Sequence, residues 1–272
     1  MYRVEPLPES MISSIWDFNS LSEDDERKYI LKMVNKTFES TSLQGKAFSL
    51  IKLWVHKDPD EMKKLHNLKN EVKRIADIVH HLQSYVKKKE DSPWAVSLRD
   101  VNRFCKLLVY FNENSNVPEL GVFFNDRKTR GTMLYTKLEI AIMLSIYFCY
   151  VIRMRIQDKR DDLVKSCTRL GKHQQGISVD DFNDIVKKEQ LHFLNQMQIK
   201  AGIGKNNPLS ENIFVTVTCI LNQIPLIITG NPGSSKTLAM NLILKSFKGP
   251  ISNNEFFKQY PTLIGYYYQG SE

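Results

Sequence analysis

The sequence predicts a mostly α protein that carries the start of an α/β P-loop domain at its C-terminus. Three observations carry this reading. Between Leu65 and Val86 apolar residues recur every three or four positions. Ile140 to Ile152 is a run of 13 residues without a charge. From Ile224 a short β-branched run leads through a glycine turn and a Lys-Thr pair into a second helical pattern.

Taken in order, the chain opens with Pro6-Leu7-Pro8 and the aromatic pair Trp16 and Phe18, which read as an extended lead-in. Ser22 with Asp25 three residues on is a helix N-cap pattern, and Glu23, Asp24 and Glu26 suit the first turn of a helix dipole. Ile30, Met33, Val34 and Phe38 supply that helix with a buried face. An apolar stretch from Ala47 to Val55 ends at Asp58-Pro59. Leu65, Leu68, Val72, Ile75, Val79, Leu82 and Val86 then form one helical stripe. A coiled-coil dimer and a long helix packed on its neighbours both fit it; a stripe of about three heptads favours the packed helix. His80 and His81 beside it read as solvated rather than as ligands.

After a polar break at 87–96, Ser97 with Asp100 caps a helix whose apolar residues run through Leu107, Leu108, Val109 and Phe111. Asn112 to Gly131 reads as a polar loop. A buried helix from Leu138 follows, with Arg153 and Arg155 at its end, where cations suit the dipole. Asp180 to Met197 is an amphipathic helix. The polar joint Ala201-Gly202-Ile203-Gly204-Lys205-Asn206-Asn207-Pro208 is the best domain boundary. This divides the chain into a helical region, 1–205, and a shorter region, 206–272. The latter starts with a helix from Ser210 to about Asn222.

Ile224 to Thr229 reads as a buried strand. Gly230-Asn231-Pro232-Gly233-Ser234-Ser235 is the turn, and from Lys236 the residues Leu238, Ala239, Leu242, Ile243 and Phe247 fall at helical spacing up to the stop at Gly249-Pro250. Strand, glycine turn, Lys-Thr and helix make a P-loop layout. Backbone N–H groups of the loop and helix N-terminus point at phosphate oxygens, Lys236 neutralises them, and the Thr237 hydroxyl can hold Mg²⁺. The bare pattern G-x-x-x-x-G-K-[ST] is broken at Ser235, where a glycine normally stands. An ordinary strand–turn–helix unit with a lysine in its turn is the plainer alternative. Agreement of the strand, the Lys-Thr pair and the helix favours the phosphate site. A second strand is expected from Leu263 to Tyr268.

Bulk properties exclude several classes. A 42% hydrophobic content with 25% charged residues fits a globular chain with a core, not a disordered one. The net charge of +8 admits nucleic-acid binding, but no basic patch with interleaved aromatics accompanies it, so the sequence argues against that partner. Cys105, Cys149, Cys167 and Cys219 are far apart, without a C-x-x-C pair or histidines at zinc-ligand spacing. Reduced thiols fit a cytoplasmic protein. The N-terminus lacks a signal-peptide core, and the 13-residue apolar run falls short of the ~20 residues of a membrane span.

Hydrolysis of a nucleotide at such a loop also requires an apolar strand ending in acidic residues that hold Mg²⁺ and orient water. The 36 residues after Lys236 contain Glu255 and Glu272, and neither ends an apolar strand. The second domain is therefore expected to be truncated, with the catalytic half of its site missing.

Gly230-Asn231-Pro232-Gly233-Ser234-Ser235-Lys236-Thr237-Leu238 resembles the divergent Walker A loop of the mysterin family, giant AAA+ proteins that are also RING-type E3 ubiquitin ligases. That family typically carries the same serine before the lysine. The likeness extends to Glu211-Asn212-Ile213-Phe214, to Ile224-Pro225-Leu226, to Tyr268-Gln269-Gly270-Ser271-Glu272, to Pro6-Leu7-Pro8 with Trp16-Asp17-Phe18, to Val96-Ser97-Leu98-Arg99-Asp100-Val101-Asn102-Arg103 and to the Cys149-Tyr150 helix. The resemblance implies that 1–205 is the helical lid of one AAA module and that 206–272 opens the nucleotide-binding core of the next. It implies ATP and Mg²⁺ as cofactors, and neighbouring AAA modules and the ubiquitination machinery as partners. It also implies a sensor role for Arg99, or alternatively Arg103, toward the nucleotide of a different, upstream site. Two other readings stay open: an AAA-like scaffold with a retired nucleotide site, and a P-loop protein acting on DNA or RNA.

Overall fold

A computed structural model describes residues 21–40, 59–92, 95–115, 136–154, 156–170, 179–200 and 202–266. The expected lead-in at Pro6 to Phe18, the stretch Ala47–Val55, Arg155 and Tyr268–Glu272 lie outside these residues.

The described residues are mostly helical. Helix α1 spans Glu23–Ser40, α2 Pro59–Lys89, α3 Leu98–Asn114 and α4 Lys137–Ile146, the last continuing into a π turn at Tyr147–Val151. Then come α5 (Gln157–Leu170), α6 (Val179–Gln196), α7 (Asn207–Leu221), α8 (Lys236–Ser246), a 3-10 turn (Gly249–Ile251) and the single-turn α9 (Glu255–Lys258).

Helix α1 begins as its sequence predicts: the Asp25 N–H donates to Ser22 Oγ at 3.2 Å, and the Ser22 hydroxyl to Asp25 at 2.7 Å. Its apolar stripe of Ile30, Val34 and Phe38 is buried against α2 and α3. The α2 stripe is buried from Val72 through Ile75, Val79, Leu82 and Val86, with α1 on one side and α5 on another. From Val72 to Val86 the stripe is thus covered by neighbours in the same chain, as the packed-helix reading expects. From Ile140 helix α4 carries no charge on any face because it lies at the centre, touching α3 and α6, and Ile140 to Ile146 are all buried.

The predicted single helix over Ile140–Ile152 changes character at Tyr147, where the Ile152 N–H donates to the Tyr147 carbonyl at 3.0 Å, five residues back. In an α-helix residues three apart share a face; the wider π turn spreads them. Tyr147 and Tyr150 consequently find different partners. Tyr147 reaches Glu211 at 3.1 Å and accepts from Gln190 at 2.9 Å, while Tyr150 accepts from Gln83 at 3.1 Å. Burial first, and neighbouring acidic charge second, pushes the Tyr147 phenol above its ordinary pKa.

Neither expected strand is formed among the described residues. Residues 224–229 have no regular structure, and Ile227 is 90% exposed. A strand is stabilised by a ladder to a neighbour, and no described segment pairs with these residues in one. At the second site the only pairing among the described residues is an isolated antiparallel bridge between Lys248 and Thr262, extended by Leu263 N–H to Phe247 O at 3.0 Å. Ile264 and Tyr266 beyond it are exposed. The α/β part of the expected fold is therefore not seen, and the described architecture is mostly α.

The helices on either side of the joint at 201–208 are packed together. Helix α7 starts at the Asn206 cap, whose side chain accepts from Leu209 N–H at 2.9 Å, with Pro208 in its first turn. Its Phe214 is fully buried and stacks on Phe111 at 6.0 Å, with Phe148, Phe193 and Tyr147 within 6.3 Å. Arg160 of α5 pairs with Glu211 at 2.8 Å. Lys106 of α3 donates to the Asn222 carbonyl at the end of α7.

Candidate functional site

The loop from Gly230 to Ser235 joins the irregular segment after α7 to the N-terminus of α8. Its geometry is that of a tight turn around an ammonium group. Lys236 folds back so that Nζ donates to Gly230 O at 2.7 Å, Asn231 O at 2.8 Å and Ser234 Oγ at 3.0 Å. Gly230 permits this approach: a Cβ there would lie 3.2 Å from Ser234 Oγ and 3.7 Å from Lys236 Nζ. Gly233 has φ +82°, a left-handed conformation that favours glycine.

Ser235 shares that requirement. It is the N-cap of α8 with φ 59° and ψ 16°, in the left-handed region, and its side chain makes no capping bond. A glycine at this place in the usual pattern supplies positive φ without a Cβ clash; serine adopts the same conformation at a cost of roughly 1–2 kcal/mol. The first helical bond of α8 runs from Ala239 N–H to Ser235 O at 2.9 Å. The amides of Lys236, Thr237 and Leu238 therefore have no carbonyl four residues back within the helix. Uncapped amides at a helix start, a lysine folded back onto the preceding loop and the exposed Thr237 in the first turn form a donor set suited to an anion.

These residues fit phosphate oxygens, and Thr237 fits a magnesium ligand whose remaining coordination comes from phosphate and water. No group of His, Cys, Asp and Glu among the described residues could hold a metal by itself. Beside the loop lies an open, largely apolar cavity of about 600 Å³, bounded by Cys219, Ile220 and Ile224 on the α7 side and by Ile228, Lys236 and Met240 on the other. Its lining suits an apolar segment rather than a charged group.

The expected sensor arginines part company. Arg99 is exposed and its side chain has no partner among the described residues. Arg103 is committed to Asp100 at 3.1 Å. Asp100 is itself buried and holds a small network: it accepts from Ser97 N–H at 2.8 Å, completing a capping box, and from Arg153 at 2.8 Å. Arg153 also donates to the Ala95 carbonyl at 2.6 Å. Arg153, expected only to complement a helix dipole, instead ties the π turn to the cap of α3.

Asn212 was not foreseen as part of the site. From the second turn of α7 its Nδ2 donates to the Ser234 carbonyl at 2.8 Å, inside the loop. The signal available in the sequence was the polar pair Glu211-Asn212 ahead of the apolar run Ile213-Phe214-Val215.

Comparison with known proteins bears on what this arrangement belongs to. Residues 202–272 match the family described as RNF213 AAA domain, and residues 62–177 match the Midasin AAA lid domain. The E3 ubiquitin-protein ligase RNF213 of Homo sapiens is 31% identical over 263 residues, covering 95% of this chain. Over nearly its whole length the chain is similar to a segment of RNF213-like AAA+ proteins. The Mus musculus E3 ubiquitin-protein ligase RNF213 is 27% identical over 262 residues, and the Danio rerio rnf213-beta ligase is 28% identical over 261, each again across 95% of the chain. The chain spans about 4% of the length of each of these relatives. No described helix is long and apolar enough to cross a membrane.

Proposed function

We propose that residues 230–238 of this RNF213-like chain bind the phosphates of ATP with Mg²⁺. The observation that supports this most directly is the uncapped start of α8 with Lys236 turned onto the loop that precedes it. In this reading the amides from Gly233 to Leu238 donate to phosphate oxygens. Lys236 Nζ exchanges the Gly230 and Asn231 carbonyls for a phosphate oxygen, so a cation already held at the site is used rather than recruited. Gly230, Asn231, Pro232 and Ser234 shape the turn, and the Thr237 hydroxyl holds Mg²⁺. When bound, the metal neutralises developing charge on the phosphates.

The helical region, 1–205, is proposed to be the lid of one AAA module and 206–272 the opening of the next core, working beside neighbouring modules of the same cytoplasmic chain. AAA+ ATP hydrolysis and E3 ubiquitin ligase activity are proposed for the protein that carries this segment, by its likeness to RNF213; the ubiquitination machinery would then be a partner. Arg99, exposed and without a side-chain partner among the described residues, is the better candidate for a sensor toward a different nucleotide site, since Arg103 is held by Asp100. A scaffold with a retired site draws support from one feature: Ser235 holds a left-handed conformation that glycine adopts more cheaply.

The test is ATP binding by the full-length protein and its Lys236→Ala variant, read by calorimetry with Mg²⁺ present. Losing a charged hydrogen-bond donor worth about 1.5–3 kcal/mol should weaken binding roughly 10- to 150-fold. Equal affinity of the two proteins would overturn the phosphate role of Lys236, and undetectable binding by the parent protein would favour the scaffold.

A further inference from the structure

We propose that Asn212 is a positioning residue for the phosphate loop, and that Arg160 and Tyr147 of the preceding helical region keep it in place through the adjacent Glu211. The proposal rests on the phosphate reading of 230–238 for its consequence, but not for its geometry.

Two consecutive residues of α7 face two different neighbours. Glu211 turns to the helical region, where Arg160 Nη1 donates to it at 2.8 Å and the Tyr147 hydroxyl lies 3.1 Å away. Arg160 is fixed in turn by two backbone carbonyls, Met154 O at 2.7 Å and Ile152 O at 3.0 Å, both just past the π turn. Tyr147 is held from its other side by Gln190 of α6 at 2.9 Å. Asn212 turns to the loop, where it donates to Ser234 O at 2.8 Å.

Ser234 O belongs to the peptide whose N–H is that of Ser235, the residue in the left-handed conformation. A donor fixed on that carbonyl sets the tilt of the peptide plane, and so the direction of the next amide, because the six atoms of a peptide move together. The rotation of α7 about its axis determines whether Asn212 reaches the carbonyl. The pairs at Glu211 and the buried Phe214 ring fix that rotation. A shift of α5 or the π turn would therefore change the direction of donors at the phosphate loop without any residue of the helical region touching a ligand.

The test uses the full-length protein. Asn212→Asp keeps the shape and removes the donor; Asn212→Gln keeps an amide donor on a longer arm. Hydrogen exchange of amides 233–236 is measured without nucleotide, with the α7 amides as a folding control, and ATP affinity is measured separately. The Asp variant should speed exchange in the loop several-fold while α7 is unchanged, and weaken ATP by roughly 3- to 10-fold, the loss of one neutral hydrogen bond; the Gln variant should recover part of both. Unchanged loop exchange in the Asp variant overturns the proposal. If the Asp variant also loosens α7, Arg160→Gln is read instead: it leaves Asn212 in place, and an unchanged loop there overturns the proposal equally. If Asn212→Asp loosens the loop but Lys236→Ala leaves ATP affinity intact, the positioning stands and the phosphate reading fails. If Lys236→Ala abolishes binding and Asn212→Asp leaves the loop unchanged, only the positioning fails.

Discussion

Asp100→Ala is expected to destabilise the helical region by about 2–3 kcal/mol, and the parts of that figure come from separate contacts. The carboxylate closes a capping box on Ser97, and loss of a helix cap costs about 1 kcal/mol. It also accepts from Arg153 and Arg103, and a hydrogen bond to a charged group contributes about 1.5–3 kcal/mol when it is dry. Here it is not dry: the Arg153 side chain is 40% exposed and that of Arg103 is 46% exposed. Solvent screens both pairs, which places their joint contribution at the low end, about 1–2 kcal/mol. The assay is thermal unfolding with a urea series as a second measure, on the wild type, Asp100→Ala, Asp100→Asn and Arg99→Ala. At about 2–4 °C per kcal/mol for a chain of this size, the Ala variant should melt roughly 4–12 °C lower. Asn keeps an acceptor for the Ser97 N–H and loses only the charge, so it should fall between. Arg99→Ala, on the surface and without a side-chain partner among the described residues, should stay within about 0.5 kcal/mol of wild type. A shift below 1 °C for Asp100→Ala would refute the account of Asp100 as the junction between the α3 cap and the π turn.

Two further outcomes follow from the core. Phe214→Ala, at a fully buried ring stacked on Phe111 and shared by α3, the π turn, α6 and α7, should cost about 3–5 kcal/mol, measured by urea unfolding; a loss under 1 kcal/mol would mean these helices are not packed through it. Stability should also erode in mild acid. His81 is held below its ordinary value of 6.5 by burial and then by the nearby His80 and Lys88, and His192 by burial. The folded chain therefore binds fewer protons than the unfolded one, so stability is complete above pH 6.5 and declines as pH falls below it. Urea midpoints at pH 7.5 and 5.5 should differ in that direction, and a double variant, His81→Gln with His192→Gln, should show a shallower slope; an equal slope in both proteins would refute this.

The helices were legible because their signals are local. An apolar residue every three or four positions, a Ser or Thr followed three residues later by an acid, and a glycine at a stop are each contained within one element. Ser97 with Asp100 is the clear case, since the box read from the sequence is the box in the structure. The strands were not, because a strand at 224–229 is made by its neighbours. The β-branched run Ile227-Ile228-Thr229 has the composition of a strand but no described partner, and its residues remain without a ladder. Partners distant in sequence were equally hidden. The dipole rule that suits Arg153 is local, whereas its partner Asp100 lies 53 residues away. Arg160 and Glu211, 51 residues apart, gave no periodic signal at all.

Ser235 shows why the loop cannot be judged from its own residues. Read as a pattern, the serine is a defect, because the glycine it replaces makes positive φ inexpensive. In the structure the backbone takes positive φ regardless, and the reason is that its surroundings leave it little choice. The carbonyl on its N-terminal side is held by Asn212, its own carbonyl accepts the first bond of α8, and the next side chain is tied to Gly230 and Asn231. Only the first of these restraints comes from outside the loop and α8, and it comes from a helix fixed to the preceding helical region by Arg160 and the Phe214 cluster. A glycine loop holds its shape through its own freedom; this one holds it through α7. If that is so, replacing Ser235 by glycine should make the loop less dependent on Asn212, and the exchange penalty of Asn212→Asp should shrink in the Ser235→Gly background.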